Sequence, residues 1–151
     1  PEQVRSEIER LKNAEHITPA QAAAVEPEAI CALFASPIGQ RILHADEVWR
    51  ELRFSLLTGA ETVFDAPPGE EVLLQGVADC CIREGETLTV VDYKTDYVTA
   101  ETLAKRAAEY APQIRAYAAA LTRLLEMPVQ EGVLFFLRTG QSVSIDCREK
   151  K

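Results

Sequence analysis

Long apolar runs are missing from this chain. None reaches the roughly 20 residues that a membrane-spanning helix requires, so no membrane partner is expected. The start, Pro1-Glu2-Gln3-Val4-Arg5, lacks the basic-then-apolar pattern of an export signal. It also lacks an initiator methionine, which predicts an internal fragment of a longer protein. No Cys-x-x-Cys spacing occurs among Cys31, Cys80, Cys81 and Cys147, which argues against a zinc or iron–sulfur centre. Reduced, mostly buried thiols in a cytoplasmic protein are expected instead. Histidine is scarce: His16 and His44 have no ligand-spaced partner and read as solvated or capping residues. Positive charge is short as well, with 16 Lys and Arg against 24 Asp and Glu and a net charge of −8. That balance argues against a free-standing nucleic-acid binder. The deficit is uneven. The first 71 residues hold 13 acidic and six basic side chains, the remainder 11 and 10.

What the chain does contain is a globular balance, 47% hydrophobic and 26% charged over 151 residues, enough for one domain with a core. Residues 1–45 read as mostly helical. Val4, Ile8 and Leu11 recur at helical spacing over 2–13, Thr18-Pro19 is a cap followed by a first-turn proline, 28–34 forms a short helix, and Ser36-Pro37 opens the next. Residues 46–146 read as the sheet-bearing core. Over 47–57, Val48, Arg50, Leu52, Phe54 and Leu56 alternate with Trp49, Glu51, Arg53 and Ser55, the pattern of a strand. A turn over 65–71 separates it from a strand over 72–82, and the tight turn at 83–86 leads antiparallel into a strand over 87–93. Helices are predicted over 99–109 and, with Pro112 in its first turn, to about 126. A buried strand over 132–137 and a hairpin partner over 142–145 complete an α/β fold, a mixed sheet flanked by helices.

The chemistry gathers at Val90-Val91-Asp92-Tyr93-Lys94-Thr95-Asp96. Asp92 and Lys94 stand two apart at a strand end, so their side chains leave one face. Asp79 ends another apolar stretch, Gln75-Gly76-Val77-Ala78-Asp79, in the preceding strand and can approach Asp92 across an antiparallel ladder. Two converging carboxylates suit a hard cation, Mg²⁺ or Mn²⁺ in its place, and the Tyr93 backbone carbonyl could add a neutral ligand. Such a cation lowers the pKa of a bound water and polarises a phosphoryl oxygen, and Lys94 could orient the attacking water or stabilise developing charge. Gln113 and Tyr117, four apart, share one helix face beside the Ile114, Ala118, Leu121, Leu125 stripe. Each element alone has a plainer explanation: a surface ion pair, a strand bulge, a packed helix face.

Together these motifs resemble the PD-(D/E)xK nuclease superfamily, in particular the C-terminal nuclease domains of helicase–nucleases of the AddA and RecB type. The likeness is carried by Gly76-Val77-Ala78-Asp79, by Asp92-Tyr93-Lys94-Thr95-Asp96 and by Tyr110-Ala111-Pro112-Gln113-Ile114-Arg115-Ala116-Tyr117. Ser36-Pro37-Ile38-Gly39-Gln40-Arg41 and Val48-Trp49-Arg50-Glu51-Leu52-Arg53-Phe54 look like the AddA side of the family. The resemblance implies a restriction-endonuclease-like fold, with Asp79 and Asp92 as metal-binding carboxylates and Lys94 as the catalytic lysine. Gln113 and Tyr117 would shape the site and contact DNA, with Glu51 as a supporting acid. It further implies a Mg²⁺-dependent DNA exonuclease in a parent that processes double-strand ends for recombinational repair. A helicase motor of that parent would deliver the single strand, beside an AddB-like second subunit. The family's upstream histidine, in a Gly-Thr-x-x-His-like segment, has no counterpart here. The expectation is a fragment that starts after it and cuts poorly by itself. The competing reading is a nuclease-fold DNA-binding or structural module without catalysis.

Overall fold

The computed structural model describes residues 1–62 and 67–148. Four short helices come first: α1 (Glu2–Asn13), α2 (Pro19–Ala24), α3 (Pro27–Ala35) and α4 (Pro37–His44). Their starts follow local chemistry. Thr18 accepts the Gln21 N–H while the Gln21 side chain accepts the Thr18 N–H, closing a capping box ahead of Pro19. Ser36 accepts the Gly39 N–H ahead of Pro37. The stripe on α1 is only half-covered; Val4, Ile8 and Leu11 are partly exposed, and α1 buries no residue fully. An Arg5–Glu28 ion pair ties it to α3.

The sheet has five strands in sequence order: β1 (Glu47–Gly59), β2 (Glu71–Glu84), β3 (Thr87–Lys94), β4 (Val129–Phe136) and β5 (Gln141–Asp146). The β1–β2, β2–β3 and β4–β5 pairs are antiparallel, and β3–β4 is parallel. The parallel pair requires a crossover, supplied by α5 (Leu103–Leu125). One face of the sheet packs against α5 through Phe54, Ala78, Val90, Ala118 and Leu121. The other carries Cys80, Ile82, Val91 and Phe135 against Leu33, Ile38 and Ile42 of α3 and α4. The neighbours Cys80 and Cys81 therefore point into different layers, and all four cysteines are free thiols. At Gly132 the crossing helix comes close to the sheet: an added Cβ would stand 2.1 Å from Ile114 Cγ2.

Two expectations are corrected. The segment expected as two helices split near Pro112 is a single helix, α5, with the proline inside it. Proline removes one helical hydrogen bond, but Ala107, Ala111, Ile114, Ala118 and Leu121 form one buried stripe across the position. Packing on the sheet holds both halves in line. The strict alternation read over 47–57 also fails. Trp49 packs on the α5 face together with Leu52 and Phe54, whereas Val48 packs on the other. The face changes at Glu51, whose φ of 51° is left-handed. β2 changes face at the same rung, since Ala78 and Cys81 both lie on the α5 side. Arg50–Cys80 and Leu52–Ala78 are the pairs on either side, leaving Glu51 and Asp79 facing one another between them. Strand and helix ends elsewhere lie within a few residues of expectation. The expected turn over 65–71 is described only from 67, and 65–66 lie outside the described residues.

Candidate metal-dependent nuclease site

β2 and β3 last pair at Cys80–Val91, and Asp79 and Asp92 are the next residues along their strands. The ladder there is completed by a side chain: the Tyr93 N–H donates to Asp79 Oδ2 at 2.9 Å. Asp92 is buried, 5% exposed. A burial of that depth is costly for a carboxylate unless a partner balances it. Lys94, on the same face of β3, brings its Nζ to 2.6 Å from Asp92 Oδ2. That contact is an ion pair, and Lys94 is the partner that balances the buried Asp92 Oδ2. Burial pushes the Asp92 carboxyl above its ordinary value. The Lys94 ammonium opposes that shift, and the charge of Asp79 adds to it.

The ammonium of Lys94 has further neighbours on α5. It donates to Gln113 Oε1 at 3.2 Å, and Gln113 Nε2 donates to the Tyr117 hydroxyl at 3.1 Å. Tyr117 in turn meets Phe54 edge-on, with ring centroids 5.1 Å apart. The two rings explain Gly76 of the Gly-x-x-Asp motif: a Cβ there would stand 2.6 Å from Phe54 Cζ and 3.2 Å from Tyr117 Cε1. Asp92, Lys94, Gln113 and Tyr117 thus form one connected set, with Asp79 on the adjoining strand. Glu51 shares Asp79's rung, but its side chain is exposed. The Tyr93 carbonyl belongs to β3 where it pairs with Phe135, and the Tyr93 ring lies in the α3–α4 layer.

Three residues without an assigned part in the sequence reading join this set. Tyr110 lies beneath Lys94, with Nζ 4.1 Å from its ring centroid. Its hydroxyl donates to Asp96 Oδ2 at 2.8 Å, and Arg106 Nε donates to Asp96 Oδ1 at 3.1 Å. The signal was the spacing of Arg106, Tyr110, Gln113 and Tyr117 by four, three and four. It is visible only once the helix is carried through Pro112.

Carboxylate oxygens such as those of Asp79 and Asp92 are donors that suit a hard cation. Asp79, inside β2, and Asp92, near the end of β3, stand on neighbouring strands one step past their last pair, and Asp92 is buried. Among the described residues no group of three or more His, Cys, Asp or Glu side chains converges, so further ligands would come from water, phosphate or backbone. Mg²⁺ is commonly bound in that way, by one or two carboxylates with waters and phosphate oxygens retained.

A mixed sheet that sets an acid on one strand beside an acid and a lysine near the end of the next belongs to a class of phosphodiester-cleaving folds. The comparison with protein families agrees: residues 2–150 match the PD-(D/E)XK nuclease superfamily, and the chain belongs to it. Curated relatives are named as subunits of an ATP-dependent helicase/nuclease. The relative from Pelotomaculum thermopropionicum is 39% identical over 146 residues, 95% of this chain and 12% of the relative. That from Desulforamulus reducens is 41% identical over 143 residues, 91% of this chain and 11% of the relative. That from Bacillus mycoides is 34% identical over 158 residues, 96% and 12%. The chain therefore spans about an eighth of the length of these relatives. Among the described residues, no helix is long and apolar enough to cross a membrane.

Proposed function

We propose that this chain is the nuclease domain of a helicase–nuclease and hydrolyses DNA phosphodiester bonds with Mg²⁺, or Mn²⁺ in its place. The observation that carries the reading is Asp92: a carboxylate 5% exposed, next along the ladder to Asp79 and paired with Lys94 at 2.6 Å. Asp79 and Asp92 would hold the cation, with the Tyr93 carbonyl as a neutral donor. When bound, a divalent cation supplies an activated water and charge neutralisation at a scissile phosphate. Lys94 places its ammonium where negative charge grows on the phosphoryl oxygens, and Gln113 fixes the direction of that ammonium. Gln113 and Tyr117 line the approach for the strand, with Glu51 as an outlying acid.

The relatives' name supports a larger setting. A helicase motor in the same polypeptide would deliver one DNA strand to this domain, in the cytoplasm, beside an AddB-like second subunit. The output would be exonucleolytic processing of double-strand ends for recombinational repair. The decisive experiment uses the full-length protein on a DNA duplex with ATP and Mg²⁺. Asp92→Ala and Lys94→Ala should each lose cleavage and keep unwinding. Cleavage at the unaltered rate in either variant would overturn the assignment.

A second reading, a nuclease-fold module that binds DNA without cutting it, is favoured by the two-carboxylate donor set. Under it, the unaltered protein would bind single-stranded DNA and leave it intact in both Mg²⁺ and Mn²⁺.

A further inference from the structure

Lys94 has one ion-pair partner among the described residues, Asp92. Once Asp92 gives its charge to a divalent cation, that partner is shared, and the cation itself repels the ammonium. Four rotatable bonds would then let Lys94 swing away. The remaining contacts decide whether it stays. Gln113 Oε1 offers a neutral dipole. The face of Tyr110 offers its quadrupole, with Nζ 4.1 Å from the ring centroid.

Tyr110 is itself held. Its hydroxyl donates to Asp96 Oδ2, and Asp96 Oδ1 receives Arg106 Nε and a terminal Arg106 nitrogen. The Arg106 guanidinium also lies 5.3 Å from the Tyr110 centroid, and its other terminal nitrogen pairs with Glu109. A phenol that donates to a carboxylate carries more electron density on its ring, which strengthens the attraction for an ammonium. Asp96 follows Lys94 by two residues, so the loop leaving β3 returns to brace the residue it has just placed. Arg106 and Tyr110, four apart on α5, complete the brace from the helix side.

We propose that Tyr110, braced by Asp96 and Arg106, is a positioning residue that keeps the Lys94 ammonium in the site after Asp92 engages a divalent cation. The inference rests on the nuclease reading for its purpose, but the brace can be tested apart from cleavage. The first measurement is acylation of Lys94 in the full-length protein with and without Mn²⁺, read by peptide mass spectrometry, with Lys105 as internal control. In the unaltered protein Lys94 should stay slow to label in both conditions. In Asp96→Asn and Tyr110→Leu its labelling should rise several-fold with Mn²⁺ while Lys105 is unchanged, and Tyr110→Phe, which keeps the ring, should fall between. Lys94 labelling that does not respond to any of the three overturns the proposal. The second measurement is cleavage of single-stranded DNA. Tyr110→Leu should lower kcat about tenfold with KM for DNA unchanged. A rise in KM with kcat unchanged in Tyr110→Leu also overturns the proposal. Failure of the unaltered protein to cleave sinks the nuclease reading, and the labelling result then decides the brace by itself.

Discussion

The carboxylate of Asp79 takes the place of a missing ladder partner for the main chain of Tyr93, accepting its N–H at 2.9 Å. The same carboxyl group is one of the two that would hold the cation. These roles can be separated.

Asp79→Asn keeps an oxygen acceptor for the Tyr93 N–H and removes the charge. It should melt within about 0.5 kcal/mol of the unaltered protein. Asp79→Ala leaves the N–H without a partner and should cost about 1–2 kcal/mol. Both should abolish the rise in melting temperature that Mn²⁺ confers by mass action. Differential scanning calorimetry across a Mn²⁺ series reads both effects, and a full Mn²⁺ shift in Asp79→Asn would remove Asp79 from the cation site.

Gly76 has no room for a methyl group beside Phe54 and Tyr117. Gly76→Ala should destabilise the fold by about 1–3 kcal/mol as the two rings give way. Because Tyr117 carries the hydrogen bond that orients Gln113, cleavage should fall by more than the loss of folded protein explains. Urea denaturation and single-turnover cleavage on the same samples check this.

Pro112 lies in the interior of α5 and is exposed. Pro112→Ala restores the donor that proline lacks and should raise stability by about 1–3 kcal/mol. A fall in urea midpoint would show that the ring makes a contact worth more than the lost bond.

Arg41 joins α4 to the sheet, donating to Glu84 on β2, to Glu131 on β4 and to the Thr89 hydroxyl on β3. Its guanidinium holds the Glu84 carboxyl below its ordinary 4.5. A carboxyl so lowered adds stability above its unfolded value, and that stability is lost as pH falls through its folded value. Glu84→Gln should therefore flatten the acid limb of the stability curve below about pH 4.5. Arg41→Met, which leaves two acids facing each other without a cation, should cost about 1–3 kcal/mol at pH 7. Thermal melts between pH 3 and pH 7 settle both.

Much of this architecture was legible because its signals are local. Thr18-Pro19 and Ser36-Pro37 announce helix starts in their own few residues, and the 83–86 turn fixes β2 and β3 as antiparallel neighbours. Asp92 and Lys94 on one face follow from strand geometry alone. What stayed hidden depends on distant packing. Proline is a local stop sign, and only the sheet beneath Ala107, Ala111 and Ile114 overrides it. Reading a break there concealed the four-three-four stripe, and with it Arg106 and Tyr110. Glutamate is not among the residues that favour left-handed backbone, so nothing at Glu51 announced the change of face in β1.

That change of face at Glu51 has a consequence for how the chain tolerates length variation. β1 and β2 invert together at one rung, so each strand is two half-ribbons spliced in opposite phase. Deleting residue 51 alone would let β1 alternate in one phase while β2 still inverted, leaving Asp79 without a residue opposite it and the ladder out of step, whereas removing 51 and 79 together would let both ribbons run in a single phase. Indels near the splice should therefore survive only as matched pairs, one in each strand.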